Sequence, residues 1–117
     1  MPGMTVRTVA NRLGMQIAAG ADRLDNVITG GYASDLLSCV MASAQAGNAW
    51  VTLQAHMNVV AVAALLDLAC VIITEGAQLD EATLSRAEEK GIPTLLTEQT
   101  TYTIVARLAE LGILGSR

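Results

Sequence analysis

Val27-Ile-Thr-Gly-Gly-Tyr-Ala-Ser-Asp-Leu-Leu-Ser38 joins a short β-branched run to the start of an amphipathic helix. The apolar run predicts a strand over 27–29. The glycine pair predicts a break after it, because glycine adopts backbone conformations that other residues avoid. Ser34 or Asp35 is suited to cap the next helix. One apolar stripe is expected on that helix, formed by Leu36, Leu37, Val40, Met41 and Ala44. A strand, a glycine pair and a helix start in this order can present backbone N–H groups to an anion.

The rest of the chain alternates between helix and strand signals. Thr5 predicts the N-cap of a helix that ends at Gly14, and residues 15–19 predict a strand. Further strands are predicted over 49–53, 70–74 and 94–97, and further helices over 56–68, 80–90 and 101–111. Strands that alternate with helices need crossover connections. We therefore expect an α/β fold: a single compact domain over 1–117, with a mostly parallel sheet of about five strands flanked by helices.

Composition excludes several classes of function. The net charge is −4 and aromatic residues make up only 3% of the 117 residues, without a basic stripe, which argues against a nucleic-acid surface. The longest apolar run, 59–66, is too short to cross a bilayer. The N-terminus lacks the pattern of a secretion signal, so we expect a cytoplasmic protein without membrane contact.

Cofactor and metal chemistry have little support in the sequence. Cys39 and Cys70 form no CxxC arrangement, and we predict that both are buried and reduced. One histidine, two isolated cysteines and no carboxylate cluster fall short of a metal-ligand set. The chain has no P-loop motif and no dinucleotide-binding glycine pattern, so no cofactor is predicted. Ser34 and Ser38 are better explained as a cap and a helix-surface residue than as nucleophiles.

Polar residues follow most of the predicted strands, where ligands bind in open parallel sheets. We predict a ligand site at this carboxyl edge, formed by Gly30, Gly31, Tyr32, Ser34, Asp35, Thr52, Gln54, His56, Asn58 and Thr74. The alternative is that these residue types only cap the helices that follow, a role open to Asn58, Thr74 and His56. Tyr32 either covers a ligand or packs on the neighbouring helix.

The predicted helix over 56–68 is apolar on every side, as its core 59–66 reads Val-Val-Ala-Val-Ala-Ala-Leu-Leu. Such a helix is normally buried all round. In a small domain one face can pack on the sheet and the other needs a partner, so we predict homodimerisation through this helix. Trp50 is expected at the edge of the core or at the dimer contact.

Three blocks of the chain resemble a DRTGG domain: Ile28-Thr-Gly-Gly-Tyr-Ala-Ser-Asp-Leu-Leu-Ser38, Trp50-Val-Thr-Leu-Gln-Ala-His-Met-Asn-Val-Val-Ala-Val-Ala63 and Gly91-Ile-Pro-Thr94. The resemblance extends over about 5–113. It implies an α/β fold similar to the N-terminal domain of HPr kinase/phosphorylase. It also implies kinship with regulatory insertions of long phosphotransacetylases and CBS-domain pyrophosphatases, where such domains regulate and dimerise. The Asp-Arg of the family's name is replaced here by Val27-Ile28, so a role for an arginine beside the glycines does not carry over.

Three functions from different classes follow from these observations. The first is a non-catalytic, homodimeric regulatory module that senses a small anionic metabolite or nucleotide at the carboxyl edge of the sheet. The second is a protein-interaction or dimerisation subunit without a ligand, which docks a second copy or an unidentified protein. The third is a small enzyme that uses Asp35 and His56 as an acid–base pair, which requires both side chains to reach one cavity.

Overall fold

The chain forms a five-stranded mixed sheet between two layers of helices, in a computed structural model that describes residues 3–115. The elements are α1 (Val6–Leu13), β1 (Gln16–Ala19), β2 (Gly30–Ala33), α2 (Leu37–Ser43), β3 (Asn48–Thr52), α3 (Met57–Leu65), β4 (Cys70–Ile73), α4 (Glu81–Lys90), β5 (Thr94–Leu96) and α5 (Thr101–Glu110). The ends of the predicted domain, 1–2 and 116–117, lie outside the described residues.

The strand order is β1-β5-β4-β3-β2. The four strands β2 to β5 are parallel to one another and follow in chain order, while β1 pairs antiparallel with β5. This confirms the predicted α/β fold with a mostly parallel sheet. Every residue of the inner strands β3 and β4 is buried, because helices cover both faces of the sheet.

The helices divide between the two faces of the sheet. Trp50, Val71 and Ile73 pack with α2, α3 and α4, whereas Val51 and Ile72 pack with α1 and α5. A right-handed crossover that steps to the next strand in the same direction keeps its helix on the same face, which explains why α2, α3 and α4 lie together. The chain changes face after β5, where it enters α5.

Helix ends follow the signals in the sequence. Thr5 Oγ1 accepts a hydrogen bond from Thr8 N at 3.2 Å, and Gly14 closes α1 with a left-handed φ of 66°. Asp80 Oδ1 accepts from Thr83 N at 2.7 Å at the start of α4, and a glycine ends that helix as well. The predicted N-cap and end of α1 are confirmed, and α4 begins one residue after the start of its predicted range, 80–90.

The prediction for the glycine pair is wrong. Gly30 and Gly31 lie inside β2 rather than in a turn after a strand, and neither has a positive φ. β2 pairs in register with β3 through Gly30↔Asn48 and Gly31↔Ala49, and Gly31 N donates to Leu114 O at 2.9 Å on the outer side. Hydrogen bonds to distant segments therefore stabilise an extended backbone that the two glycines do not favour by themselves.

Two predictions about the first helical layer also need correction. Cys39 is exposed, and only Cys70 is buried. α2 begins late, at Leu37, and of the predicted stripe it fully buries Val40, while Leu36 and Met41 are 60% and 50% exposed. A helix of seven residues places too few positions against the sheet to cover the whole stripe.

α3 is shorter than predicted and packs on its own chain along one side. It buries Val59, Val60, Val62 and Ala63 in the core. The outward positions are Asn58, Ala61 and Leu65, which are exposed. Leu65 is the one large apolar side chain on this outward face, and it is 69% exposed.

Candidate functional site

The four parallel strands end together at one edge of the sheet, which brings several of the predicted site residues close to one another. Ser34 and Asp35 follow β2, Thr52 ends β3 and Thr74 follows β4. Gly30 and Gly31 lie at the start of β2, beside the start of β3, and therefore at the opposite edge. They do not join the other predicted residues.

Asp35 connects the ends of β2 and β3. Its Oδ1 accepts hydrogen bonds from Thr52 Oγ1 and from Leu53 N, both at 2.8 Å. Its backbone oxygen accepts from Gln54 Nε2 at 3.1 Å. Asp35 is therefore not the cap of α2, since Leu36 occupies that position without a side-chain bond, although Ser34 Oγ accepts from Leu36 N at 3.1 Å.

The two threonines of the edge are buried and bonded within the protein. Thr52 Oγ1, besides donating to Asp35, accepts from Gln54 N at 3.1 Å. Thr74 Oγ1 lies 2.6 Å from Thr101 Oγ1 and 3.4 Å from Thr52 O. These contacts fix the strand ends and the start of α5, while the N-caps of the helices that follow are His56 for α3 and Asp80 for α4.

His56 and Asp35 do not form an acid–base pair in the described part of the chain. His56 is the N-cap of α3, where its Nδ1 accepts from Asn58 N at 3.3 Å. Thr83 lowers the pKa of the Asp80 carboxyl, through its side chain and through its N–H, and the charge of His56 adds a further lowering. The N–H bond is 2.7 Å long, whereas the Thr83 hydroxyl lies near the carboxyl without the geometry of a hydrogen bond.

Two aromatic side chains near this edge are occupied by contacts within the chain. Tyr32 OH donates to Cys39 O at 3.3 Å, so the ring packs on α2 rather than over the strand ends. Trp50 is fully buried, and its Nε1 donates to Ser34 O at 2.9 Å. Trp50 therefore lies in the core and holds the end of β2 in place.

A cleft of about 350 Å³ lies further along the same edge, at the ends of β4 and β5. Sequence reasoning did not assign it. Its lining residues are Gly14, Gln16, Gly76, Ala77, Gln78, Leu96, Thr97, Glu98 and Gln99. Thr97 and Glu98 directly follow β5 and so have the same strand-end position as the predicted residues, but the glutamine side chains carry no sequence signal that distinguishes them from other surface glutamines.

The loops on either side of this cleft are bonded to each other. Glu75 N donates to Gln99 O at 2.9 Å and Gly76 N to Thr97 O at 3.0 Å. Glu75 has a φ of 64°, an uncommon conformation for a residue with a side chain, and its Oε2 accepts from Thr101 N at 2.8 Å. The loop after β4 therefore caps α5 and is held in one arrangement.

Carboxylates of the protein itself occupy several N–H groups at this edge that an anion would use. Asp35 accepts from Leu53 N, Glu75 from the first residue of α5, and Asp80 from Thr83 N. A phosphate at any of these positions would have to displace a bonded carboxylate. The edge is therefore better suited to a ligand that offers neutral hydrogen-bonding groups.

Residues 3–115 contain neither a cluster of metal-ligating side chains nor a membrane-spanning helix. Within that range no three His, Cys, Asp or Glu side chains are grouped as a metal site would require. None of the helices described there has the length and apolar character needed to span a bilayer.

Comparisons with known proteins agree with the fold. The chain resembles the CBS and DRTGG domains of the regulatory region of Clostridium perfringens pyrophosphatase, solved with the activator diadenosine tetraphosphate, with a TM-score of 0.74 and 11% identity. The match covers 92% of this chain and 46% of that one, so the chain spans about half of its structural relative. No curated protein sequence matches. The DRTGG domain family matches residues 4–111, and the chain therefore belongs to the DRTGG domain family of regulatory modules.

Proposed function

We propose that this chain is a non-catalytic, homodimeric regulatory module that binds a nucleotide at the carboxyl edge of its sheet. The observation that carries the proposal is the cleft at the ends of β4 and β5, in a domain of a regulatory family. Open α/β sheets bind their ligands at this edge. A cytoplasmic location is part of the proposal, and the two free cysteines are consistent with it.

The proposal of a nucleotide rests on analogy with the structural relative. That regulatory region is described in complex with diadenosine tetraphosphate as its activator. A small anionic metabolite without a base is a weaker candidate here. Its charge would meet Asp35, Glu75 and Asp80, which already accept the N–H bonds of this edge.

We base the proposed absence of catalysis on the contacts of Asp35 and His56, the two side chains best suited to acid–base chemistry. Asp35 is bonded to Thr52 and Leu53, and His56 Nδ1 accepts from Asn58 N. A general base has to reach the proton that it removes from a bound substrate. Since these contacts hold the two residues in separate structural roles, an enzyme that uses them as a pair is disfavoured.

The homodimer is proposed through the helix predicted over 56–68, whose structured part is α3. Support comes from exposed apolar side chains on α2, α3 and the adjoining loops: Leu36, Met41, Leu53 and Leu65, which are 44% to 69% exposed. Large exposed apolar side chains on one side of a small domain favour association. If no ligand binds, the same side chains favour the alternative of a protein-interaction subunit.

A thermal-shift series tests the ligand part of the proposal. Purified protein is melted with adenine and guanine nucleotides, and with acetyl phosphate as a charged control without a base. A nucleotide at 100 times its dissociation constant should stabilise the fold by about 2.7 kcal/mol, or roughly 10 °C at this size. Acetyl phosphate should give no shift. Cooperative melting without a shift in any nucleotide would reject ligand binding and favour the interaction subunit.

A further inference from the structure

The connections after β4 and β5 leave the sheet in opposite directions. The loop after β4 leads to α4, which packs with Trp50 and Val71 on one face, whereas the loop after β5 leads to α5, which packs with Val51 and Ile72 on the other. Open α/β sheets bind ligands beyond the carboxyl ends of the strands, near the point where neighbouring parallel strands send their connections to opposite faces. Among the parallel strands of this sheet, the change of face occurs between β4 and β5. The loops after β4 and β5 stay bonded to each other there, and the cleft of about 350 Å³ lies beside them, lined by residues 76–78, residues 96–99 and the start of β1.

Three glutamine side chains line the cleft: one is held by hydrogen bonds at both ends of its amide, and two are exposed. Gln99 Nε2 donates to Leu13 O at 3.2 Å and Gln99 Oε1 accepts from Arg107 at 3.3 Å, so this amide is held from both ends. Gln16 and Gln78 are exposed, and Gln78 makes one bond of 3.3 Å from Nε2 to Gly76 O. Each exposed amide offers N–H donors and a carbonyl acceptor to a ligand.

Charge restricts the ligand class. The lining residues include one carboxylate, Glu98, and no Lys, Arg or His. The Glu75 carboxylate lies on an adjoining loop, bonded to Thr101 N. A phosphate in the cleft would meet the Glu98 carboxylate and no lining cation, since Arg107 donates to Gln99 Oε1 and is not itself a lining residue, whereas a neutral group with adjacent donors and acceptors avoids this repulsion.

We propose that this cleft binds the base of a nucleoside and leaves any phosphate outside it in solvent. The glutamine amide matches the paired donor and acceptor on the edge of a nucleobase, as it does with adenine in DNA recognition. The volume is at the lower end of the range of small-molecule sites, which suits one base and its ribose. This inference deepens and rests on the proposed function, since it gives the nucleotide-binding edge a specific site and orientation.

NMR titration of the ¹⁵N-labelled protein with adenosine, guanosine, cytidine, uridine and AMP tests the site. At least one nucleoside should shift the amide signals of Gly14, Gly76, Ala77 and Glu98 in a saturable way. AMP should bind no more tightly than adenosine, because no residue that lines the cleft offers its phosphate a cation. The double variant Gln16→Ala/Gln78→Ala should weaken nucleoside binding at least tenfold, while the matched control Gln45→Ala, before the start of β3 and so at the opposite edge of the sheet, should leave it unchanged. All three side chains are exposed, so these variants should keep the fold.

A charge variant gives an independent test. Glu98→Gln should tighten AMP binding relative to adenosine, since it removes the carboxylate from the lining. Nucleotide-induced shifts confined to the region of Gln54 and His56 would overturn this inference and leave the proposed function standing. Nucleosides that shift no signal while nucleotides stabilise the protein would also overturn the inference alone. No response to either class, in a protein with a well-dispersed spectrum, would overturn both.

Discussion

At the scale of single residues, Gly20 and Gly31 show which glycine the backbone requires. Gly20 has a φ of 77°, and a Cβ there would lie 2.4 Å from the carbonyl carbon of Ile92 and from Pro93 N. At Gly31 the φ is not positive, and a Cβ would meet Ile113 at an ordinary distance of 3.6 Å. The glycine pair is the conspicuous motif of the sequence, but the position that sterically requires glycine is Gly20. It follows β1 and packs against the segment before β5.

We expect Gly20→Ala to lower the free energy of unfolding by more than about 1 kcal/mol, because it combines a disfavoured φ with a backbone clash. Gly31→Ala is the matched control and should change it by no more than about 0.5 kcal/mol, since its conformation suits alanine. Urea denaturation of the two variants measures both values. Equal losses at both positions would contradict this assignment.

The two cysteines should differ in reactivity, because Cys39 is exposed and Cys70 is fully buried. Burial raises the pKa of the Cys70 thiol to about 12, which suppresses its thiolate form. We expect a thiol reagent to label one cysteine per chain quickly in the native protein and the second only on unfolding. Mass spectrometry of the labelled peptides identifies the fast site. Fast labelling of Cys70 would contradict the burial.

Cys70 should also make the protein less stable in alkali. The folded state keeps the thiol neutral up to about pH 12, while the unfolded thiol ionises near its ordinary pKa of 9.0. The unfolded state therefore loses a proton first, and stability falls as pH rises from 9.0 towards 12, by at most about 1.4 kcal/mol per pH unit. Urea titrations at several pH values give the free energy of unfolding at each pH. This free energy should fall less steeply with rising pH in Cys70→Ala than in the parent chain. Identical slopes would contradict the expectation.

At the scale of elements, local signals predicted the helices better than the edge strand. Thr5 with Gly14, and Asp80 with Gly91, define α1 and α4 through bonds that span one turn, so a single sequence contains the whole signal. β2 depends instead on its pairing with β3 and on the Leu114 carbonyl, which lie far away along the chain. Its register could not be predicted from a β-branched run and two glycines.

The prediction about homodimerisation concerns the outward face of α3. Leu65→Glu places a charge on the proposed dimer face without touching the residues that α3 buries, and should raise the dimer dissociation constant at least tenfold. Tyr102→Glu is the control, because Tyr102 is 87% exposed on α5, which packs on the opposite face of the sheet. Sedimentation equilibrium measures both variants. A monomeric parent chain, or equal association of all three proteins, would contradict a dimer through α3.

At the scale of the whole molecule, the alternation of strands and helices predicted the edge of the sheet at which polar side chains lie. Ser34, Asp35, Thr52 and Thr74 do lie there, but their hydrogen bonds hold the strand ends together. The cleft lies beyond the ends of β4 and β5 instead, beside the start of β1 and next to the point where the helices change face. That change depends on how α4 and α5 pack, which local sequence patterns do not encode.

Native mass spectrometry of the purified chain with adenosine and ATP tests the central proposal most directly, because one spectrum reports the oligomer, the ligand count and the ligand mass. We expect a dimer that carries up to two ligands, each with its mass unchanged after prolonged incubation. A chain that stays monomeric and binds neither compound would contradict the proposal. So would a dimer that retains hydrolysed or transferred product, since the proposed module binds a nucleotide without altering it.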